Sequence, residues 1–175
     1  MKTFALIASL AAYAAARPVP EDSTTFKLIA TAPGSPIDAH YLTVSGGVFH
    51  LGKETSSTCG NIAPVFEGAL AMYGDGKENQ QQTYVDISGA ASGALSFASP
   101  EVADMTPDQI ADKFAQSADG KLTYDGGNWL ACPQEVEGQY MVFAEKAYEA
   151  PKEKCTAFEI ATKKVRTPKV VCVYQ

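Results

Sequence analysis

Histidine is almost missing from this chain, and that shortage rules out more chemistry than any other feature. Only His40 and His50 occur among 175 residues. A metal centre needs three or four ligands of suitable type, and the nearest further candidates, Asp38 and Glu54, carry no metal-ligand spacing. Both histidines are read as partly exposed structural residues flanking one hairpin. Cysteine is sparse too: Cys59, Cys132, Cys155 and Cys172 stand apart with no Cys-x-x-Cys pair, which argues against a thiolate metal site. Neither a Gly-x-Ser-x-Gly elbow nor a cysteine free of a bridging role is present, so nothing marks a nucleophilic hydrolase. Basic residues are the minority, 14 against 20 acidic, for a formal charge of −6. Nucleic-acid binding needs a dominant basic surface and is disfavoured. No Asn-x-Ser/Thr sequon occurs, and no residue pattern implies a cofactor.

Long apolar runs are also lacking. The longest lies at the start, where Lys2, an apolar stretch from Phe4 to Ala12 and the small residues Ala14-Ala15-Ala16 form the three regions of a secretory signal peptide. That stretch is far shorter than the ~20 residues needed to span a bilayer. Residues 1–16 are expected to be removed, residues 17–23 to form a proline-rich flexible lead, and residues 24–175 to fold as a single β domain. The last residues, Val170 to Gln175, are too short to signal a lipid anchor. Export delivers all four cysteines to an oxidising compartment, so two disulfides are expected. Sequence alone leaves three pairings open. Cys132 and Cys155 flank the strand-like run Gln139 to Ala147, so the favoured pairing is Cys132–Cys155 with Cys59–Cys172.

What is present is mostly strand. Short runs of β-branched and aromatic residues alternate with glycine-rich turns, predicting strands at Phe26–Ala30, Tyr41–Val44, Val48–Leu51, Ala69–Tyr73, Thr83–Ile87 and Ala94–Phe97. Five more follow at Lys121–Tyr124, Trp129–Cys132, Tyr140–Ala144, Phe158–Thr162 and Val170–Tyr174. Ser45-Gly46-Gly47 and Asp125-Gly126-Gly127-Asn128 place glycine where tight hairpins need it, and each is expected to join adjacent antiparallel strands. The fold class is all-β, a mostly antiparallel sandwich or barrel, with a β-trefoil-like arrangement as a variant suggested by echoes between segments. One short helix is predicted near 106–116. There Thr106-Pro107-Asp108-Gln109 reads as a capping box with proline at the first helical position, and Ile110 and Phe114 form an apolar face.

Candidate chemistry is thin. Glu135 and Glu137 form a local carboxylate pair and Asp86 and Asp125 a distant one, as a glycosidase would require, but nothing in the sequence places two acids across a cleft, and the chain is read as no enzyme. Asp104, Asp108 and Asp112 would share one face of the predicted helix and are read as a solvated stripe. Lys163, Lys164, Arg166 and Lys169 form the one basic cluster, read as lysines guarding a strand edge. Trp129, the only tryptophan, lies beside a double-glycine turn. With Tyr124 it is the tentative ligand-binding pair of a lectin-like surface; packing in the core near Cys132 is the preferred alternative.

Several blocks together resemble the small secreted fungal cell-wall proteins of the PhiA (phialide-development) type. They are Phe26-Lys27-Leu28-Ile29-Ala30 followed by Gly34-Ser35-Pro36-Ile37, Ser45-Gly46-Gly47-Val48-Phe49-His50-Leu51-Gly52, and Gly93-Ala94-Leu95-Ser96-Phe97. The order continues with Gly127-Asn128-Trp129-Leu130-Ala131-Cys132-Pro133, Tyr140-Met141-Val142-Phe143-Ala144 and Cys155-Thr156-Ala157-Phe158. The resemblance implies a secreted, non-catalytic protein of the fungal wall, linked to conidiation or wall integrity and partnered by wall polysaccharide or wall proteins. It offers no catalytic residues, and its late cysteine maps to Cys155, in keeping with a local bridge to Cys132. The chain departs from the family in its helix-like segment at 106–116, its lack of sequons and the position of Cys172 outside the matched blocks. A soluble effector that binds a host protein, or a lectin-like protein, is the alternative.

Overall fold

A computed structural model describes residues 25–68, 70–74, 80–98 and 105–175. The expected signal peptide and lead lie outside the described residues. Among the described residues, thirteen strands make up the fold: β1 (Phe26–Thr31), β2 (Thr43–Ser45), β3 (Val48–Leu51), β4 (Phe66–Glu67), β5 (Ala71–Met72), β6 (Gln81–Asp86) and β7 (Ala94–Phe97). They continue as β8 (Gln109–Ile110), β9 (Phe114–Gln116), β10 (Lys121–Tyr124), β11 (Trp129–Pro133), β12 (Tyr140–Ala144) and β13 (Thr156–Lys164).

The sheet closes on itself as a barrel. Around the ring, β1 pairs β4, then β5, β6, β7, β12, β11 and β13 follow, and β13 returns to β1 from Phe26↔Lys164 to Thr31↔Glu159. Closure removes the free edges that an open all-β sheet would expose. β3 enters where β7 and β12 diverge, giving a three-way junction in which each pair runs antiparallel. Alternation drives this arrangement: Phe26, Leu28 and Ala30 of β1 and Phe158 and Ile160 of β13 point inward, with Lys27, Glu159 and Lys163 between them on the outside. Phe26, Phe66, Phe49 and Phe97 form a run of ring contacts through the interior, each step 6.0 Å between centroids. Gly52 is required where β3 ends, because a Cβ there would lie 2.0 Å from the Gly138 carbonyl oxygen and the residue holds φ +75°.

Three expectations are corrected. The segment 106–116 is not helical; it supplies β8, paired with Val85 and Asp86, and β9, paired with β10. The capping chemistry is real but stops after one turn: the Thr106 N–H donates to Gln109 Oε1 (3.0 Å) and the Gln109 N–H to the Thr106 carbonyl (3.0 Å). An isolated helix of that length is marginal, whereas pairing with the sheet carries Ile110 and Phe114 onto the core. The second glycine turn is not a hairpin either. β10 and β11 both run antiparallel to β13 along the same edge, Leu122 opposite Ile160 and Trp129 opposite Phe158, so residues 125–128 form an excursion within one edge. The hairpin partner of β10 is β9, through a turn closed by the Gly120 N–H on the Ser117 carbonyl (2.9 Å). Finally, Val170–Tyr174 is no strand. It is a tail pinned across one end of the barrel, with a single bridge between Tyr174 and Ser57.

Buried Gln81 holds that tail. Its amide nitrogen donates to the Tyr174 carbonyl (2.9 Å) and the Ala98 carbonyl (3.2 Å), while its Oε1 accepts the Tyr174 N–H (2.7 Å). The Cys59–Cys172 disulfide lies two residues away, and Cys132–Cys155 ties β11 to the start of β13. The Tyr174 phenol is itself buried, which pushes its pKa up to about 12, against the lowering effect of a hydrogen bond from the Val65 backbone N–H.

Candidate functional site

The tentative ligand residues sit in the interior. Trp129 is 0% exposed and Tyr124 3% exposed. The indole N–H donates to the Leu122 carbonyl at 2.8 Å, Phe114 stacks on the indole at 6.3 Å, and the Tyr124 ring meets Phe114 edge-on at 5.7 Å. Buried in the core, neither ring offers a face to a sugar.

The carboxylates are dispersed. Glu135 and Glu137 both stand on the exposed β11–β12 connection, on one turn closed by the Gln139 N–H on the Val136 carbonyl (3.1 Å), and so do not face each other across a cleft. Asp86 accepts the Ser88 N–H (2.9 Å), Asp38 accepts the Ala32 N–H (2.7 Å), and Asp125 faces Lys113 at 3.9 Å. Each thereby stabilises its own loop. Asp108 and Asp112 are exposed on the β6–β8–β9 side and share no helical face; Asp104 lies outside the described residues. Among the described residues, no three His, Cys, Asp or Glu side chains gather as a metal site. His40 is exposed, but His50, expected to be partly exposed, is only 4% exposed. Its Nε2 bonds to the Ser45 carbonyl (3.1 Å), and burial lowers its pKa below the ordinary value despite that bond, with Lys53 adding to the decrease.

Two surface features remain. An apolar groove of about 490 Å³ runs beside the Cys59–Cys172 bridge, lined by Ile62, Val65, Tyr73, Val170 and Tyr174. The other lies on the outer face of β1 and β13. Lys27 and Lys163 are directly opposite in the ladder, and both ammonium groups converge on the Tyr41 ring, at 5.6 and 5.7 Å from its centroid. Tyr41 is placed there by its bridge to Ile29 and is 36% exposed. Lys163 is therefore not on a strand edge as expected: β1 covers that side of β13. The basic cluster does not act as a unit, since Lys164 alternates to the other side and lines a separate hollow with Gln116, Asp119 and Thr162. Sequence reasoning passed over Lys27 and Tyr41. Strand alternation marks Lys27 as outward, but only the pairing of β1 with β13, about 130 residues apart, brings it to Lys163.

Two known fungal proteins are similar to this chain over nearly its whole length. Cell wall protein phiA of Emericella nidulans is 27% identical over 180 residues, covering 97% of this chain and 96% of that protein. Cell wall protein phiA of Aspergillus niger is 28% identical over 176 residues, covering 94% of each. No solved structure matches. The family model described as PhiA-like secreted protein matches residues 26–175, from the first residue of β1 to the end of the pinned tail, and the chain belongs to that secreted family.

Proposed function

We propose that this secreted protein works in the fungal cell wall as a non-catalytic structural and interaction protein. On this reading the leader 1–16 is removed, residues 24–175 act as one domain, and wall polysaccharide or neighbouring wall proteins hold it there in a role tied to conidiation or wall integrity. The observation that carries it is the near full-length likeness to two proteins named for the cell wall. The two disulfides and closed barrel suit a protein that must persist outside the cell. The scattered carboxylates give no support to a glycosidase. Fractionation of a culture expressing the protein is the test. Recovery with washed walls is expected, and recovery wholly in the culture fluid would point instead to a soluble effector with a host protein as partner.

A further inference from the structure

We infer that Lys27, Lys163 and Tyr41 form a binding site for the acidic groups of an anionic glycan, which deepens the wall reading and rests on it. Like charges directly opposite in an antiparallel ladder are destabilising. Lys27 and Lys163 occupy such a pair, and no carboxylate among the described residues lies in ion-pair range of either. The contrast with the neighbouring Lys121 is direct, because Lys121 is neutralised by Glu159. Among the described residues, only the π face of Tyr41 meets the two ammonium groups, and it carries no countercharge. The pair is thus an uncompensated positive focus on a chain whose formal charge is −6. A carboxylate or phosphodiester placed against it relieves the repulsion and gains two charge-assisted hydrogen bonds.

The ground beside this focus suits a polymer rather than a small anion. Outward residues of β13 lead from Lys163 back to Ala157, about 20 Å at the usual strand rise. There a shallow depression is bordered by Thr31, Ser35, Asn128 and Thr156, whose hydroxyls and amide match a sugar's hydroxyls, and by Glu159, whose carboxylate accepts from hydroxyls but repels a second acidic group. An acidic group at the lysine pair and neutral positions along the depression fit one extended chain.

The test is retention of the purified secreted protein on immobilised polygalacturonate and on phosphomannan, with neutral laminarin as the reference, at several salt concentrations. Salt-sensitive binding to at least one acidic polymer and little to laminarin is expected, and the two acidic arms tell carboxylate from phosphodiester. Lys27→Gln and Lys163→Gln each weaken binding about fivefold, with melting temperature unchanged or raised because a like-charge contact is relieved. Equal retention on laminarin, or binding unaltered in the double variant, overturns the site. Fractionating the double variant keeps the two readings apart: wild-type protein that stays with the wall while binding neither acidic polymer would remove this site and leave the wall assignment standing.

Discussion

Replacing Gln81 by leucine removes the one buried side chain that recognises the tail backbone, at nearly constant volume. The substitution deletes three hydrogen bonds, to the Tyr174 carbonyl, the Ala98 carbonyl and the Tyr174 N–H. Gln81 is 1% exposed, so the two Tyr174 groups lose their partners where water does not reach. Each orphaned buried group costs about 1–3 kcal/mol, and the added apolar surface of leucine returns about 1 kcal/mol. The expected net loss is about 3 kcal/mol, equivalent to a drop in melting temperature of about 6–12 °C for a domain of this size. Gln81→Glu provides an internal check, because its carboxylate still accepts the Tyr174 N–H but donates nothing at neutral pH. It should be destabilised at pH 7 and partly recover on acidification, once protonated. Thermal and urea melts followed by circular dichroism measure both. A loss below about 1 kcal/mol in Gln81→Leu would show that Cys59–Cys172 and the backbone pairing with residues 56–58 hold the tail without Gln81.

Trp129→Ala should cost about 3–5 kcal/mol, while Trp129→Phe, which keeps a ring against Phe114 but loses the hydrogen bond to Leu122, should cost about 1–2 kcal/mol; urea titration distinguishes them, and a neutral Trp129→Ala would take the indole out of the core. The disulfides close loops of very different length, with sequence separations of 113 and 23, so on the chain-entropy account Cys59→Ser/Cys172→Ser loses about 5 kcal/mol and Cys132→Ser/Cys155→Ser about 3 kcal/mol. Equal losses in denaturant melts would contradict it. His50 is held neutral by burial, with its folded pKa below the unfolded value near 6.5, so the unfolded chain takes up the proton first. Its contribution to stability is therefore complete above about pH 6.5 and declines as pH falls from there through the lowered folded pKa. The urea midpoint should fall between pH 7 and pH 5, and His50→Asn should flatten that slope; an unchanged slope would refute the assignment.

Much of the barrel was legible because its strands obey local rules. Val48–Leu51, Ala94–Phe97, Lys121–Tyr124 and Tyr140–Ala144 coincide with strands in the structure, since each is a short apolar or alternating run bounded by turn residues. The misreadings arise where local chemistry is ambiguous or tertiary pairing decides. Thr106–Gln109 makes the bonds of a helix cap, yet sheet pairing claims Gln109 and Ile110. Asp125–Asn128 has hairpin composition, yet Trp129 continues along β13 beside Leu122 instead of folding back. β4, two residues long, is too short to leave a periodic trace, whereas β5 falls inside the expected strand Ala69–Tyr73. The lysine pair at Lys27 and Lys163 depends on the register of two strands at opposite ends of the chain, and the tail contact of Gln81 depends on a barrel end that only the closed fold creates. Neither has a counterpart in spacing.

Saturable retention on fungal wall stripped of its own proteins, using the purified secreted chain and a wall-free control, tests the central claim most directly. A binding isotherm that reaches a plateau and a bound fraction that survives washing are expected. Complete recovery of the folded protein in the supernatant at every wall concentration would contradict it.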